Sequence, residues 1–487
     1  MEFFQHKVVI VGSGFSGQCA AINLINNGIS DFVILERRSF TGGTWCQNSY
    51  PGAAVDVQSP LYSLSFEPFP WSRMFAEQSE LKQYTNNIIE KYNLKDKIKL
   101  NKNVQKIKWD NLERKWNVII NGDKNYKAQF IINCTGPLST PVIPNFKGKE
   151  LFEGESFHTN NWNQDYDYHG KRVAVIGSGA SASQVIPTIA PDVETLHVFQ
   201  RTPHWVLPRP DRVFSKIERK LLGIKSIYKL VRYAIYWGLE TRMVGFKYSQ
   251  WMMKNVPQRQ AMWHLKKQVE NEELRKSLTP DYTIGCKRII LSNDLLKTYN
   301  RNNTHLYLRE NGIKEINKRG ILTTQGKQVD LDLIVYATGY DATDGVISYP
   351  IKGKNNLNIA QVWEDYPRAY VGTTLPGFPN LFLSCGPNSG IGHTSAIFII
   401  ESQMNYIIDA IMKCEKNGFK TFEVKSESEE RYTNKLHKEM EKTVWHKGGC
   451  NSWYKSKSGK VIAMYPGFSF SYHLMTRKVK NEHHIFS

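Results

Sequence analysis

Two glycine loops constrain this chain more than any other feature. Gly12-x-Gly14-x-x-Gly17 and Gly177-x-Gly179-x-x-Ala182 lie about 165 residues apart, each after an apolar, β-branched run and before a helical stretch. In such a strand-loop-helix unit the first glycine permits a tight turn and the second lets backbone approach a pyrophosphate. The third small residue lets helix and strand pack closely, and the helix N-terminus attracts the phosphates. Glu36 ends the strand after the first helix and is placed to accept hydrogen bonds from an adenosine ribose. Arg201 stands at the matching point of the second unit, where a guanidinium can grip a 2′-phosphate that an acid would repel, so NADPH is favoured over NADH.

Two such units in 487 residues predict an α/β fold with two dinucleotide-binding, Rossmann-like domains. The run Phe130–Gly136 reads as a strand closing on a turn, followed by three prolines, and Leu333–Gly339 repeats the strand-to-turn pattern. The second domain is therefore expected as an insertion in the first. Residues 1–144 open the first domain, 145–335 form the inserted one with a helical excursion at 212–278, and 336–487 return to the first and end the chain.

The formal charge is +19, from 64 basic and 45 acidic residues, and suits anionic cofactors, anionic lipid or nucleic acid. Residues 212–267 hold thirteen Lys or Arg against Glu218 and Glu240. Ile217, Leu221, Ile224, Tyr228, Val231 and Ile235 alternate in steps of four and three, predicting one apolar helix face there. The stretch fits peripheral contact with a membrane and equally a solvated basic face. No zinc-finger spacing or aromatic RNA-binding motif supports a nucleic-acid partner. No apolar run is long enough to span a bilayer, and the N-terminus lacks the pattern of a secretory signal, so a cytoplasmic protein is expected. The seven cysteines are scattered without a CxxC pair and are read as thiols, with no metal site expected. Gly43-Thr44-Trp45-Cys46 invites comparison with flavin disulfide reductases, but no second cysteine lies close enough in sequence to exchange electrons with Cys46.

Further motifs in fixed order give the chain a resemblance to the class A (type I) Baeyer–Villiger monooxygenases, in the branch around 4-hydroxyacetophenone monooxygenase. Phe152-x-Gly154-x-x-x-His158-x-x-x-Trp162 precedes the second glycine loop, with Asn163 where that family usually has Pro or Asp. Gly43-Thr44-Trp45, Tyr50-Pro51-Gly52 with Asp56, Phe199–Pro203, Cys286-Lys287-Arg288, Ala337–Tyr340 and Ser452-Trp453-Tyr454 extend it over nearly the whole chain. The excursion carries little of it.

The resemblance implies FAD in the first domain and an NADPH- and O2-dependent oxygenase acting on a small apolar ketone to give an ester or lactone through a peroxyflavin. It implies that Arg288 stabilises negative charge beside the flavin and that Asp56 orients it, chemistry suited to a permanent guanidinium in a site that excludes water. Lys287, Arg201 and Thr202 would hold the 2′-phosphate. His158 and Trp162 would couple the domains, and Asn388 would lie in the last flavin-side loop. Two competing readings are a flavin monooxygenase oxygenating nitrogen or sulfur, which has no need of Arg288, and a peripheral membrane-binding flavoprotein.

Overall fold

A computed structural model describes residues 3–122, 124–341 and 347–487. The first glycine loop leaves the C-terminal end of strand Phe3–Val11, at the centre of an eight-stranded sheet. Phe32–Leu35 pairs with it in parallel on one side and Asn125–Asn133 on the other. Val104–Asp110 and Lys115–Ile120 continue the sheet as an antiparallel hairpin. The returning chain adds Leu381–Leu383, parallel to Asn125–Asn133. Val8, Ile10, Phe32, Ile34, Phe130 and Ile132 are buried on the face covered by helices Phe15–Asn26 and Ala396–Asn417. Their near-continuous apolar runs are those of strands covered on both faces.

The second glycine loop leaves strand Arg172–Ile176 in a five-stranded parallel sheet. Its strand order is Thr304–Tyr307, Thr195–Phe199, Arg172–Ile176, Leu333–Tyr336, Glu155–His158. In each sheet the loop opens where parallel strands end, and helix Ala180–Ile189 repeats the part played by Phe15–Asn26.

The excursion is helical, but not as one amphipathic face. The helix breaks at Gly223–Ile224 into Lys216–Leu222 and Lys225–Glu240, so the two halves turn different sides inward. Ile217, Leu221 and Ile224 are exposed, whereas Tyr228 is fully buried. Arg232 is buried one turn beyond Tyr228 and donates to the carbonyls of Pro60, Leu61 and Ser63 and to Glu401. A polar anchor thus occupies the side that hydrophobic spacing assigned to apolar packing.

The expectation of seven thiols fails at two positions. Cys286 and Cys450 form a disulfide across 164 positions, because Thr283 donates to the Gly448 carbonyl at 3.0 Å and brings the two loops together. Cys19, Cys46, Cys134, Cys385 and Cys414 remain free. Among the described residues no helix is long and apolar enough to cross a membrane, and no group of three or more His, Cys, Asp or Glu could hold a metal ion.

Candidate active site

The first cleft is built by two glycine turns pressed together. A Cβ on Gly12, whose φ is +105°, would lie 2.6 Å from the Cys134 carbonyl oxygen, and one on Gly17 would lie 2.0 Å from that of Gly12. A Cβ on Gly43, at φ +64°, would meet the Cα of Gly14 at 2.8 Å. Only glycine lets these backbones approach, which leaves a cradle of N–H groups at the start of helix Phe15–Asn26. Glu36 is buried beside it, accepting from the Ser13 amide at 3.0 Å, the Ser13 hydroxyl at 2.7 Å and the Arg38 amide at 3.0 Å.

Thr44 and Trp45 open the short helix Thr44–Gln47 on the same wall, and Trp45 Nε1 donates to Tyr62 Oη at 3.1 Å. Thr135 Oγ1, Gln47 Oε1 and Ser139 Oγ line this cleft and are buried without a hydrogen-bond partner. Orphaned polar atoms around a glycine cradle fit a large polar group with a pyrophosphate, which is the chemistry of FAD. Cys385 and Ala396 close the far wall. Asn388, between them in sequence, is buried with φ +53°, and its amide donates to the Val461 and Met464 carbonyls at 2.9 and 3.0 Å.

The second cradle repeats the geometry. Gly177 has φ +134° and would set a Cβ 2.2 Å from the Ala337 carbonyl oxygen, Gly179 faces open space, and Ala182 is fully buried against the sheet. Ser178 donates to the Thr202 carbonyl at 2.8 Å, fixing the turn after strand Thr195–Phe199. Lys287 reaches this turn from another loop. Burial and then the positive charge of Arg201 hold its ammonium below the usual lysine range, and Nζ lies 4.9 Å from the Tyr282 ring centroid. Two neighbouring cations have the charge to hold a dianion such as a 2′-phosphate. His204 completes the turn, and burial followed by the Lys287 charge pushes its pKa down to about 4.

Between the cradles sits the pair predicted from Asp56 and Arg288. Arg288 Nε donates to Asp56 Oδ2 at 2.8 Å and Nη2 donates to Oδ1, a two-pronged contact that fixes the guanidinium plane. Asp56 raises the guanidinium further above its already high range, outweighing burial. The Arg288 side chain is 46% exposed, although protein atoms surround it on many sides. Tyr62 and Tyr454 flank it, and burial pushes each phenol up to about 12 even with that cation nearby. Tyr62 also lines the first cleft, so it joins the Arg288–Asp56 pair to that cleft. Sequence reasoning missed Tyr62 and Ser13. Ser13 was findable as the residue inside the glycine loop that a buried Glu36 must recruit, whereas Tyr62 sits in no motif.

Asp56 reaches the junction because its loop rests on the inserted domain. Gln184 donates to the Ala54 carbonyl at 2.8 Å, Tyr50 donates to Gln184 at 2.9 Å, and a Cβ on Gly52 would strike the Gln184 carbonyl.

The Phe152–Trp162 segment lies at the same junction. A Cβ on Gly154 would press on the Phe152 ring and the Asp332 carbonyl, and Trp162 is buried edge-on to Phe157. Buried His158 accepts from the Asn160 amide at 3.0 Å, and burial holds its pKa below the usual histidine range. Asn160 Nδ2 donates to Tyr340 Oη at 3.1 Å, Tyr340 donates to Asn48 Oδ1 at 2.9 Å, and Gln47 donates to the Asn160 backbone carbonyl. Three chain segments from both sheets are thereby tied together.

A family model described as flavin-binding monooxygenase-like matches residues 5–367. The chain is 42% identical over 475 residues to a Baeyer–Villiger monooxygenase of Pseudomonas aeruginosa, covering 97% of this chain and 90% of that one. It is 36% identical over 476 residues to a Baeyer–Villiger monooxygenase of Streptomyces coelicolor, covering 97% and 91%. Among solved structures, cyclohexanone monooxygenase from Rhodococcus sp. Phi1 bound to NADP+ superposes with a TM-score of 0.90 at 26% identity, over 100% of both chains. OTEMO in complex with FAD and NADP superposes at 0.88 and 26% identity over 99% of both.

Proposed function

The chain belongs to the flavin-binding monooxygenase-like family, and on that premise we propose that it is an FAD-containing, NADPH- and O2-dependent monooxygenase of Baeyer–Villiger type. It inserts one oxygen beside the carbonyl of a small apolar ketone to give an ester or lactone. The observation that carries this reading is the two-pronged Arg288–Asp56 contact, joined through Tyr62 to the cleft of the first glycine loop. Nitrogen and sulfur oxygenation has no need of that pair.

When bound, FAD supplies the redox chemistry, taking hydride from NADPH and passing electrons to O2. The residues of this chain bind, orient and shield. Gly12, Gly14, Gly17 and Gly43 admit the pyrophosphate, and Thr44 and Trp45 wall the cleft. Glu36 offers its carboxylate to the ribose. Gly177, Gly179 and Ala182 admit the nicotinamide dinucleotide, and Arg201, Thr202 and Lys287 hold its 2′-phosphate. Arg288 keeps its proton through every stage and stabilises negative charge that develops beside the flavin, while Asp56 fixes its plane. Phe152, Gly154, His158 and Trp162 couple movements of the two domains, and Asn388 braces the final flavin-side loop.

Within the Baeyer–Villiger enzymes we assign the chain to the branch around 4-hydroxyacetophenone monooxygenase, on the spaced Phe152–Trp162 signature. We divide it at 144/145 and 335/336, a span that takes in the second sheet from Glu155–His158 up to the last residue of strand Leu333–Tyr336. The demand for NADPH supports a cytoplasmic setting, where the Cys286–Cys450 bond would meet a reducing thiol pool. The basic excursion 212–267 is proposed to touch a membrane from that side.

Incubating the purified yellow protein with NADPH, air and a panel of ketones, amines and sulfides tests the reading. Esters or lactones from ketones support it. Turnover confined to amines and sulfides would replace it with heteroatom oxygenation.

A further inference from the structure

Helix Lys225–Glu240 buries Arg232 and Glu240 beside Tyr228, Tyr236 and Leu239 and leaves a second apolar stripe outside. Its inner face is anchored by polar groups: the Tyr228 hydroxyl meets Ser63 and accepts from Trp71 Nε1, Arg232 meets three carbonyls and Glu401, and Glu240 meets His393 and Ser469. Its outer face carries Leu230, Tyr233 and Trp237, three and then four residues apart, with Leu230 68% exposed. An arginine held inside while a tryptophan faces out is the reverse of what burial favours in a free-standing protein. The inner bonds also prevent the helix from rolling to hide the apolar stripe.

The stripe continues onto a distant part of the chain. Trp237 touches Tyr233 and Phe470, each with ring centroids 5.9 Å apart; Phe470 stacks on Phe468 at 5.3 Å, and Phe468 meets Tyr248 at 6.4 Å. Leu474, one turn beyond Phe470 on helix Ser469–Thr476, is 63% exposed. Exposed apolar residues are ordinary when scattered, but a connected aromatic strip across two helices marks an interaction surface.

Charge decides what it fits. Lys225 and Lys229 border the strip on one helix, and Arg477 and Lys478 border it at the end of the other, all exposed. The two acids of the excursion are committed elsewhere: Glu218 pairs with Arg212, and Glu240 lies buried on His393 and Ser469. A second copy of this chain, docked face to face, would set the same cations against each other. An anionic bilayer surface meets both needs. Trp and Tyr settle at the depth of the headgroups, Leu enters the acyl boundary, and flanking Lys and Arg reach back to the anionic phosphates.

We propose that Leu230, Tyr233, Trp237, Tyr248, Phe470 and Leu474, bordered by these cations, form the face by which the enzyme docks on an anionic membrane. The inference deepens the membrane contact proposed above and rests on that reading for its purpose, because apolar ketones concentrate in bilayers. Its physical claim stands without it.

Flotation of the full-length FAD-loaded protein with vesicles tests it, comparing phosphatidylcholine alone with mixtures containing phosphatidylglycerol. The protein should float with the anionic vesicles at low salt and largely remain below in molar salt. Each neutralisation, Lys225→Gln or Lys229→Gln, should weaken binding roughly fivefold. The triple variant Leu230→Ser, Trp237→Ser, Leu474→Ser should lose flotation yet oxidise a water-soluble ketone at the wild-type rate. Absence of flotation, or flotation unchanged in the triple variant, overturns the proposal. So does sedimentation showing a dimer that the triple variant splits, which would give the face to a second copy. Ketone turnover is read in a separate, lipid-free assay, so flotation without turnover would remove the oxygenase reading and leave the docking face standing.

Discussion

Asp56 and Arg288, 232 positions apart, meet through two hydrogen bonds at the junction of the two sheets. Neither residue is held there by its own strand or helix. Asp56 arrives on a loop fastened to Gln184 of the inserted domain, and Arg288 arrives two residues after a disulfide-bonded cysteine. A guanidinium fixed this way stabilises developing charge without reorganising. Arg288→Ala should lower ester formation by about 100-fold or more, while NADPH oxidation and peroxide release persist. Arg288→Lys keeps the charge but loses the two-pronged contact and should recover only part of the activity. Steady-state rates with product analysis check both.

The Arg201 charge lowers the Lys287 pKa, and a 2′-phosphate bound as proposed would relieve that repulsion. The double variant Arg201→Ala, Lys287→Ala should raise the KM for NADPH by roughly 100-fold, from charge-assisted bonds of about 1.5–3 kcal/mol each, and leave the KM for NADH nearly unchanged. Equal losses with both nucleotides would assign the two cations a structural part instead.

The glycine cradles were legible from sequence because their demands are local: at Gly12 and Gly177 the backbone itself forbids a side chain. Glu36 and Arg201 followed from the same local geometry. Asp56 and Arg288 were different. No spacing joins residues on two loops in two domains, and only the resemblance of linked motifs singled them out. Tyr62 and the Cys286–Cys450 bond were not legible at all, since Tyr62 sits in no motif and meets Arg288 only in the fold, and the disulfide joins loops 164 positions apart. The excursion misled for a physical reason. Periodicity assigns buried sides to apolar residues alone, but the helix breaks at Gly223–Ile224, and in Lys225–Glu240 Arg232 is buried beside Tyr228, Tyr236 and Leu239.

The disulfide ties the Arg288 loop to the Gly448–Tyr454 loop. Cys286→Ser or a thiol reductant should lower the thermal midpoint by about 5 °C, as expected for losing roughly 2–4 kcal/mol of cross-link in a chain of this size. Scanning calorimetry with and without reductant measures it, and the reductant should have no effect on the Cys286→Ser variant.

His484 is buried, its Nδ1 donating to the Lys480 carbonyl at 2.6 Å and its Nε2 accepting from the Tyr406 hydroxyl at 2.6 Å. Burial is the main cause that pushes its pKa down to about 4. A depressed histidine contributes stability that is fully present above its unfolded value near 6.5 and is lost as pH falls through about 4. The thermal midpoint should therefore drop between pH 6.5 and 4, and His484→Gln should flatten that slope while lowering stability at pH 7.

The central claim is that one oxygen atom of O2 enters the product beside the carbonyl, with Arg288 required for that transfer. Isotopically labelled dioxygen, supplied with NADPH and a ketone substrate, measures it by mass spectrometry of the product. The expected result is one labelled atom in each ester, one NADPH consumed per ester formed, and about 100-fold less labelled ester from Arg288→Ala. Esters formed without label, or as much labelled ester from the variant as from the wild type, would overturn the reading.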